Sequence, residues 1–193
     1  FNRISLGIQD FDPVVQRAVN RVQPYEMVAP LVDNIRSHHF RSLSFDLIYG
    51  LPHQDRHTMQ ETLQKVGSLR PDRIACYNYA HLPERFSSQR AIDRLTLPSP
   101  EEKLLLQQMI SHTLQDAGYL HIGMDHYVLP GDELALALQE GRLQRNFQGY
   151  SLHMADDLLG LGVSAISQIG DFYLQNAREA ADYYRLVDEG GLP

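Results

Sequence analysis

Among the residues of this sequence that could do chemistry, Asp46 comes first. It is a carboxylate set inside the apolar stretch Phe45–Gln54, FDLIYGLPHQ, which ends abruptly at Gly50-Leu51-Pro52. A charge in such a run must face a polar cavity or meet strong donors, because burying it unpaired is expensive. The hydroxyls of a ribose or an ammonium group of a ligand would serve, and so would an ion pair with Arg3 or Arg21. Arg21 stands between two helical segments in VNRVQPY. There its planar fork could hold a ligand carboxylate or simply face solvent, the commoner fate of an arginine. His121, Asp125 and His126 in HIGMDHY lack the spacing of a metal site, and a strand would send them to opposite faces. His53 and His57 are four apart, but one precedes the helix that holds the other. In LLGLGVSAIS, Gly160 and Gly162 supply part of a dinucleotide-binding turn and a place where backbone could approach a ligand closely. No nucleophile elbow, phosphate loop or zincin helix is present.

Positioning these groups falls to a strand-then-helix rhythm. Arg3–Gln9, RISLGIQ, alternates as a half-buried strand does, and Asp12 with Pro13 caps and opens a helix in DPVVQRAV. The spacing of Val28, Leu31, Val32 and Ile35 predicts a helix over about Tyr25–Ser37, with a kink or late start at Pro30, which removes a helical donor. RSLSFDLIYG is the next strand, Met59, Leu63 and Val66 mark the next helical stripe, and DRIACYNYA is a third strand. His81–Pro98 has no period and is expected to be irregular. Ser99, Pro100 and Glu102 form a capping box that opens a helix with Leu106, Ile110, Leu114 and Ala117 inside, closed by Gly118. YLHIGMDHY then reads as one more strand. A short helix near Asp132–Glu140, a loop GRLQRNFQGY, a strand-to-helix turn in DLLGLGVSAIS and a final helix from about Asn176 to Asp188 complete the chain.

Hairpin signals are scarce, so the expected fold class is α/β, with parallel strands covered by helices in a barrel segment or an open doubly wound sheet. Polar residues recur near the C-terminal strand ends: Gln9 and Asp10, Asp46 and Tyr49, Tyr77 and Asn78, Asp125 and His126. Parallel sheets place ligands at that edge, although every strand must also leave the core somewhere.

With 193 residues and 43% hydrophobic content, the chain can build a core of ordinary size. Lys and Arg number 17 against 24 Asp and Glu, a net charge of -7 that leaves no broad basic surface for nucleic acid. No membrane-crossing stretch or secretory leader is seen, so a cytoplasmic location is expected. Cys76 is the only cysteine, which excludes an internal disulfide and an iron-sulfur centre held by cysteines of this chain. The sequence begins without Met, already in a strand, and stops soon after a helix, so it is expected to be a piece of a longer protein.

Seven segments, FNRISLGIQDF, VNR, DLIYGLP, YNYAHLP, HIGMDHY, RNFQGY and LLGLGVSAIS, together resemble the oxygen-independent coproporphyrinogen III oxidases, or coproporphyrinogen dehydrogenases, radical S-adenosylmethionine (SAM) enzymes of haem (heme) and porphyrin biosynthesis. The resemblance runs over the whole chain in one register, and NFQGY and GMDHY are its most specific parts. It implies an oxidoreductase that converts two propionates of coproporphyrinogen III to vinyl groups, giving protoporphyrinogen IX. A [4Fe-4S] cluster reduces SAM, and the 5'-deoxyadenosyl radical takes a hydrogen from the propionate β-carbon before carbon dioxide and one electron leave. It further implies the second half of a partial (β/α)6 TIM-like barrel over residues 1–130, then barrel closure and the start of a C-terminal substrate-covering region over 131–193.

By position, the resemblance assigns Gln9, Arg21 and Asp46 to the SAM at the cluster, Ala80 and Ile166 to a second SAM, and Phe147 and Gln148 to the vicinity of substrate and second SAM. It gives no residue here a catalytic or metal-binding role, because the cluster cysteines are expected before Phe1. The piece alone is thus expected to be inactive and to self-associate through exposed strand edges, from a monomeric parent that needs an electron donor. The rival readings are a related radical SAM haem chaperone and a non-catalytic tetrapyrrole-binding domain.

Overall fold

Strand β2 (Ser42–Tyr49) decides the layering, because its residues alternate between a buried and a half-buried side along its length. Leu43, Phe45, Leu47 and Tyr49 point into the core, while Ser44, Asp46 and Ile48 occupy the other face. The computed structural model describes residues 1–146, 149–152 and 157–193. They divide into two units, Phe1–Leu143 and Gln144–Pro193.

In the first unit, β2 lies between β1 (Arg3–Gln9) and β3 (Arg73–Asn78), parallel to both. Next to β3 comes β5 (His126–Val128) and then β4 (Leu120–Gly123), giving an open sheet of order β1-β2-β3-β5-β4. Both pairings of β5 are antiparallel. The parallel arrangement expected from the sequence therefore holds for β1 to β3 only. YLHIGMDHY is a hairpin and not one strand, since Gly123 and Met124 both take positive φ, 138° and 47°, and turn the chain back. β4 still runs in the direction of β1 to β3, but β5 separates it from them.

Helices α2 (Tyr25–Ser37), α3 (Arg56–Leu69) and α4 (Pro100–Asp116) cover one face of this sheet. Val28, Val32 and Ile35 of α2, Met59, Leu63 and Val66 of α3, and Leu106, Ile110 and Leu114 of α4 pack with Phe45, Leu47, Ile74 and Cys76. Each fully buried apolar side chain of this kind stabilises the fold by about 1.5–3 kcal/mol. Leu31 and Ala117, expected in these stripes, are exposed. The helix starts match the caps read from the sequence. Asp12 accepts from Val14 and Val15 N–H at the head of α1 (Pro13–Ala18), and Ser99 with Glu102 closes a capping box on α4. Pro30 neither delays nor breaks α2. It sits on the exposed side, near the helix start, where water can satisfy the carbonyl that it leaves free.

Residues between β3 and α4 contain two short 3-10 turns, Ser87–Ala91 and Arg94–Thr96, and are otherwise irregular. Helix α5 (Glu133–Gln139) is fastened to the strand starts: Arg73 Nε donates to Asp132 at 2.8 Å, its Nη2 donates to Glu133 at 2.8 Å, and Arg3 also pairs with Glu133.

The second unit is antiparallel. β6 (Gln144–Asn146) pairs with β7 (Gly149–Ser151), and β9 (Ile166–Ile169) lies between β8 (Asp157–Leu158) and β10 (Phe172–Gln175). GRLQRNFQGY is thus not a plain loop. DLLGLGVSAIS joins two strands and leads to no helix, and the last helix, α6, spans only Ala180–Asp188. Asn176, expected in that helix, instead donates from its side chain to the Gly162 carbonyl at 2.8 Å.

Arg73→Met should lower unfolding stability by about 3 kcal/mol, since it leaves the nearly buried Asp132 without its cation. Chemical denaturation checks this, and a loss under about 0.5 kcal/mol would show the pair to be no more than a surface contact.

Candidate functional site

The sheet face away from the helices carries small and polar residues. One register row crosses it: Gly7, Asp46, Ala75, His126 and Gly123. Asp46 is half-buried and accepts a hydrogen bond from Ser5 Oγ at 3.1 Å. Neither arginine proposed as its partner reaches it, for Arg3 pairs with Glu133 and Arg21 Nη2 donates to the Gly7 carbonyl at 2.8 Å. The charge inside FDLIYGLP is explained by the pleat, which turns Asp46 outward while its apolar neighbours turn in.

Gly7 marks where the groups converge. A Cβ built on it would stand 2.7 Å from Gln9 Nε2 and 3.2 Å from Arg21 Nη2, so both side chains already fill the space above this residue, directly across from Asp46. What brings Gln9 back over Gly7 is a β-bulge. The register with β2 slips between Gly7 and Gln9, Gln9 has φ 63°, and Asp10 N–H donates to the Ile8 carbonyl at 2.8 Å across it. Positive φ at a non-glycine residue in so tight a turn costs on the order of 1–3 kcal/mol and must be imposed by its surroundings.

Those surroundings are the buried polar groups around Asp10. Its carboxylate accepts from Asp12 N–H at 2.6 Å, from Thr62 Oγ1 at 2.6 Å and from Gln54 Nε2. Its carbonyl accepts from Gln16 Nε2 at 2.8 Å. Gln54 also ties down the end of β2, donating to the Ile48 carbonyl at 3.0 Å and accepting from Gly50 and Leu51 N–H. Asp10, read from the sequence as part of the rim, is therefore beneath it. Tyr49 is also in the core, and Asn78, two residues beyond Cys76 on β3, follows the helix-facing parity, whereas Tyr77 lies on the open face with His126 edge-on at 6.0 Å. Burial, followed by the carboxylates of Asp46 and Asp125, pushes the Tyr77 phenol up.

Gln9 and Arg21 line a cavity of about 270 Å³ together with Val19, Ile48, Leu51, Tyr79 and Gln89. Gln89 also shapes the loop beyond β3, for its amide accepts from Leu82 N–H and donates to the Ala80 carbonyl at 3.1 Å. Lys103 crosses from α4 to donate to the Tyr79 carbonyl at 2.8 Å. Its stem passes over Gly50, where a Cβ would meet Lys103 Cε at 2.6 Å and where φ is +85°. Hence the glycine in YGLP.

Ile166 opens β9, and its backbone lies against Gly160, whose Cβ would be 2.6 Å from the Ile166 carbonyl oxygen. Gly160 thus approaches its own chain closely, whereas a Cβ on Gly162 would meet nothing within 4 Å. Phe147 and Gln148 lie outside the described residues. Cys76 is buried in the core against the helices, and burial pushes its thiol up. Among the described residues, no group of three or more His, Cys, Asp or Glu is placed to hold a metal ion. Sequence reasoning missed Thr62, Gln54, Gln89 and Lys103. Only Thr62 carried a signal, a hydroxyl between Met59, Leu63 and Val66 on the buried stripe of α3.

Residues 1–66 match the model of the radical SAM superfamily. The oxygen-independent coproporphyrinogen III oxidase of Pseudomonas aeruginosa is 54% identical over 192 residues, 100% of this chain and 42% of that protein. The protein of the same name from Escherichia coli is 52% identical, over 99% of this chain and 42% of its own length. The solved structure of coproporphyrinogen III oxidase from Escherichia coli, described as a radical SAM enzyme, superposes with a TM-score of 0.94 at 51% identity, covering 100% of this chain and 44% of that one. The chain belongs to the oxygen-independent coproporphyrinogen III oxidase family. It spans about two-fifths of the length of these relatives. The mixed α/β fold matches part of that solved structure.

Within this family member, the Asp10 cluster also sets a pH dependence. Burial is the largest influence on Asp10 and lifts its carboxyl above the ordinary 3.8, outweighing the donors that favour its ionised form. The folded state then holds this proton more tightly than the unfolded chain. Its contribution to stability is complete below the ordinary value and is lost as the pH rises through the raised folded value. Denaturant titrations from about pH 4 to 7 should therefore show the wild type losing stability relative to Asp10→Asn as pH rises. An opposite slope would mean that the donors win and the carboxyl is ionised throughout.

Proposed function

We propose that the full-length protein containing this chain carries out oxidative decarboxylation of two coproporphyrinogen III propionates to vinyl groups, giving protoporphyrinogen IX, with SAM bound over Gly7. The observation that carries this reading is the convergence of Gln9, Arg21 and Asp46 on the open sheet face. The donor set suits SAM. Asp46 has acceptor capacity beyond the hydrogen bond from Ser5, fit for ribose hydroxyls or an ammonium group. Arg21 uses one N–H on Gly7 and retains others for a carboxylate. The amide of Gln9 orients between them, and the wall of Val19, Ile48 and Leu51 offers apolar surface that excludes water.

Beside a [4Fe-4S] cluster, bound SAM supplies one-electron hydrogen abstraction, chemistry that belongs to the cofactor and not to protein side chains. The cluster ligands are placed outside this chain in this proposal, since its sequence has one cysteine and the cluster needs three. Ala80, Phe147, Gln148 and Ile166 keep the second-SAM and substrate roles that the family likeness implies. Residues 1–130 are read as the second half of the radical SAM barrel, and residues 131–193 as its closure and the beginning of the C-terminal substrate-covering region.

Reconstituted anaerobically with iron and sulfide, the full-length protein should cleave SAM and release carbon dioxide from coproporphyrinogen III. Tight haem binding with no protoporphyrinogen IX would replace this reading with that of a haem chaperone. In the same protein, Asp46→Ala and Gly7→Ala should each weaken SAM binding about tenfold or more, the first by removing an acceptor and the second by displacing Gln9 and Arg21. Unchanged affinity in both would remove SAM from this face.

A further inference from the structure

We infer that the buried cluster of Asp10, Thr62 and Gln54 is a positioning device for cofactor binding, holding Gln9 in its strained turn so that its amide stands over Gly7. This rests on the reading of Gln9 as a SAM contact.

Gln9 cannot hold that position by itself. A glutamine with φ 63° at the end of a strand relaxes toward extended backbone unless both flanking residues are held, and relaxation would swing its side chain away from Gly7 and Arg21. On one side, the ladder between β1 and β2 holds Gly7 opposite Asp46. On the other, Asp10 is 1% exposed and is gripped at both its carboxylate and its carbonyl by groups from three separate segments. Thr62 has a double part. Its hydroxyl donates to Asp10 and accepts from Phe11 N–H at 3.1 Å, so it fixes the two residues that follow Gln9 together. Gln54 links Asp10 to the Ile48 carbonyl, and Ile48 walls the cavity beside Gln9. The cluster therefore sets the spacing between the ends of β1 and β2, across which the proposed ligand would lie. None of its members needs to touch that ligand.

A hydroxyl buried this deeply among the apolar residues of α3 has a cost that simple packing does not require, since valine would fill the same volume. The backbone of Gln9 and Asp10 gives it a purpose. Cofactor affinity should then respond to the hydroxyl of Thr62 and not merely to its bulk.

The test compares Thr62→Val with Thr62→Ser in the full-length, cluster-loaded protein, with and without Gln9→Ala. Binding of SAM and of its unreactive analogue S-adenosylhomocysteine is read by calorimetry, and amide hydrogen exchange follows residues 9–11. Thr62→Val should weaken both ligands about tenfold and speed exchange at Asp10 and Phe11, while Thr62→Ser should restore both properties. In the Gln9→Ala background, Thr62→Val should add less than about twofold, because its effect passes through the missing amide. If Gln9→Ala weakens binding but Thr62→Val does not, or if the two losses add in full, the positioning role is overturned while the cofactor reading stands. If Gln9→Ala leaves binding unchanged, the assignment of Gln9 fails, and this inference with it.

Discussion

A buried carboxylate holding the ends of two strands in place is the interaction on which the rest of this structure depends. Asp10 lies at the exit of β1, out of water, and receives hydrogen bonds from the turn that follows it, from α3 and from the loop that ends β2. Hydrogen bonds to a charged group contribute on the order of 1.5–3 kcal/mol each, whereas a buried carboxylate without them would be strongly destabilising. The cluster is therefore satisfied as a unit or not at all, and that all-or-none character makes it a rigid base. Gln9, Arg21 and the cavity beside them are built directly on it.

The sheet divides its labour between faces. One face is given to packing against α2, α3 and α4, and the residues there are large and apolar. The other face is thereby free to carry Ser5, Asp46, Tyr77 and His126 at regular cross-strand spacings. Two contacts from outside the sheet finish the rim. Lys103 passes over Gly50 to hold the Tyr79 carbonyl, and Gln89 pins the loop around Ala80 and Leu82. None of these bonds belongs to a strand or a helix ladder, yet together they shape the edge where the strand ends meet solvent.

Some of this was legible locally. Caps at Asp12 and Ser99 and the stripes of α3 and α4 are short-range features, set by residues a few positions apart, and they were readable for that reason. The hairpin of β4 and β5 was not, because GMD is no Asn-Gly or Asp-Gly pair and its reversal depends on positive φ at Met124, a residue type that seldom takes it. Gly170 and Asp171, between β9 and β10, did offer a turn signal, flanked by ISQI and FYLQ, and it went unread beside the stronger helical pattern that follows.

By itself the amino-acid sequence determined the alternation in FDLIYGLP, the polar character of the strand ends and, through seven matching segments, the family. It also determined that one cysteine cannot build an iron-sulfur centre. Tertiary structure alone decided that Asp46 pairs with neither arginine, that Asp10 belongs beneath the rim, and that Thr62 and Gln54, more than forty residues away along the chain, reach it. The physical reason is range. Capping and pleat act between neighbours, whereas a buried hydrogen bond exists only where folding has brought distant donors to an acceptor with no water left to compete.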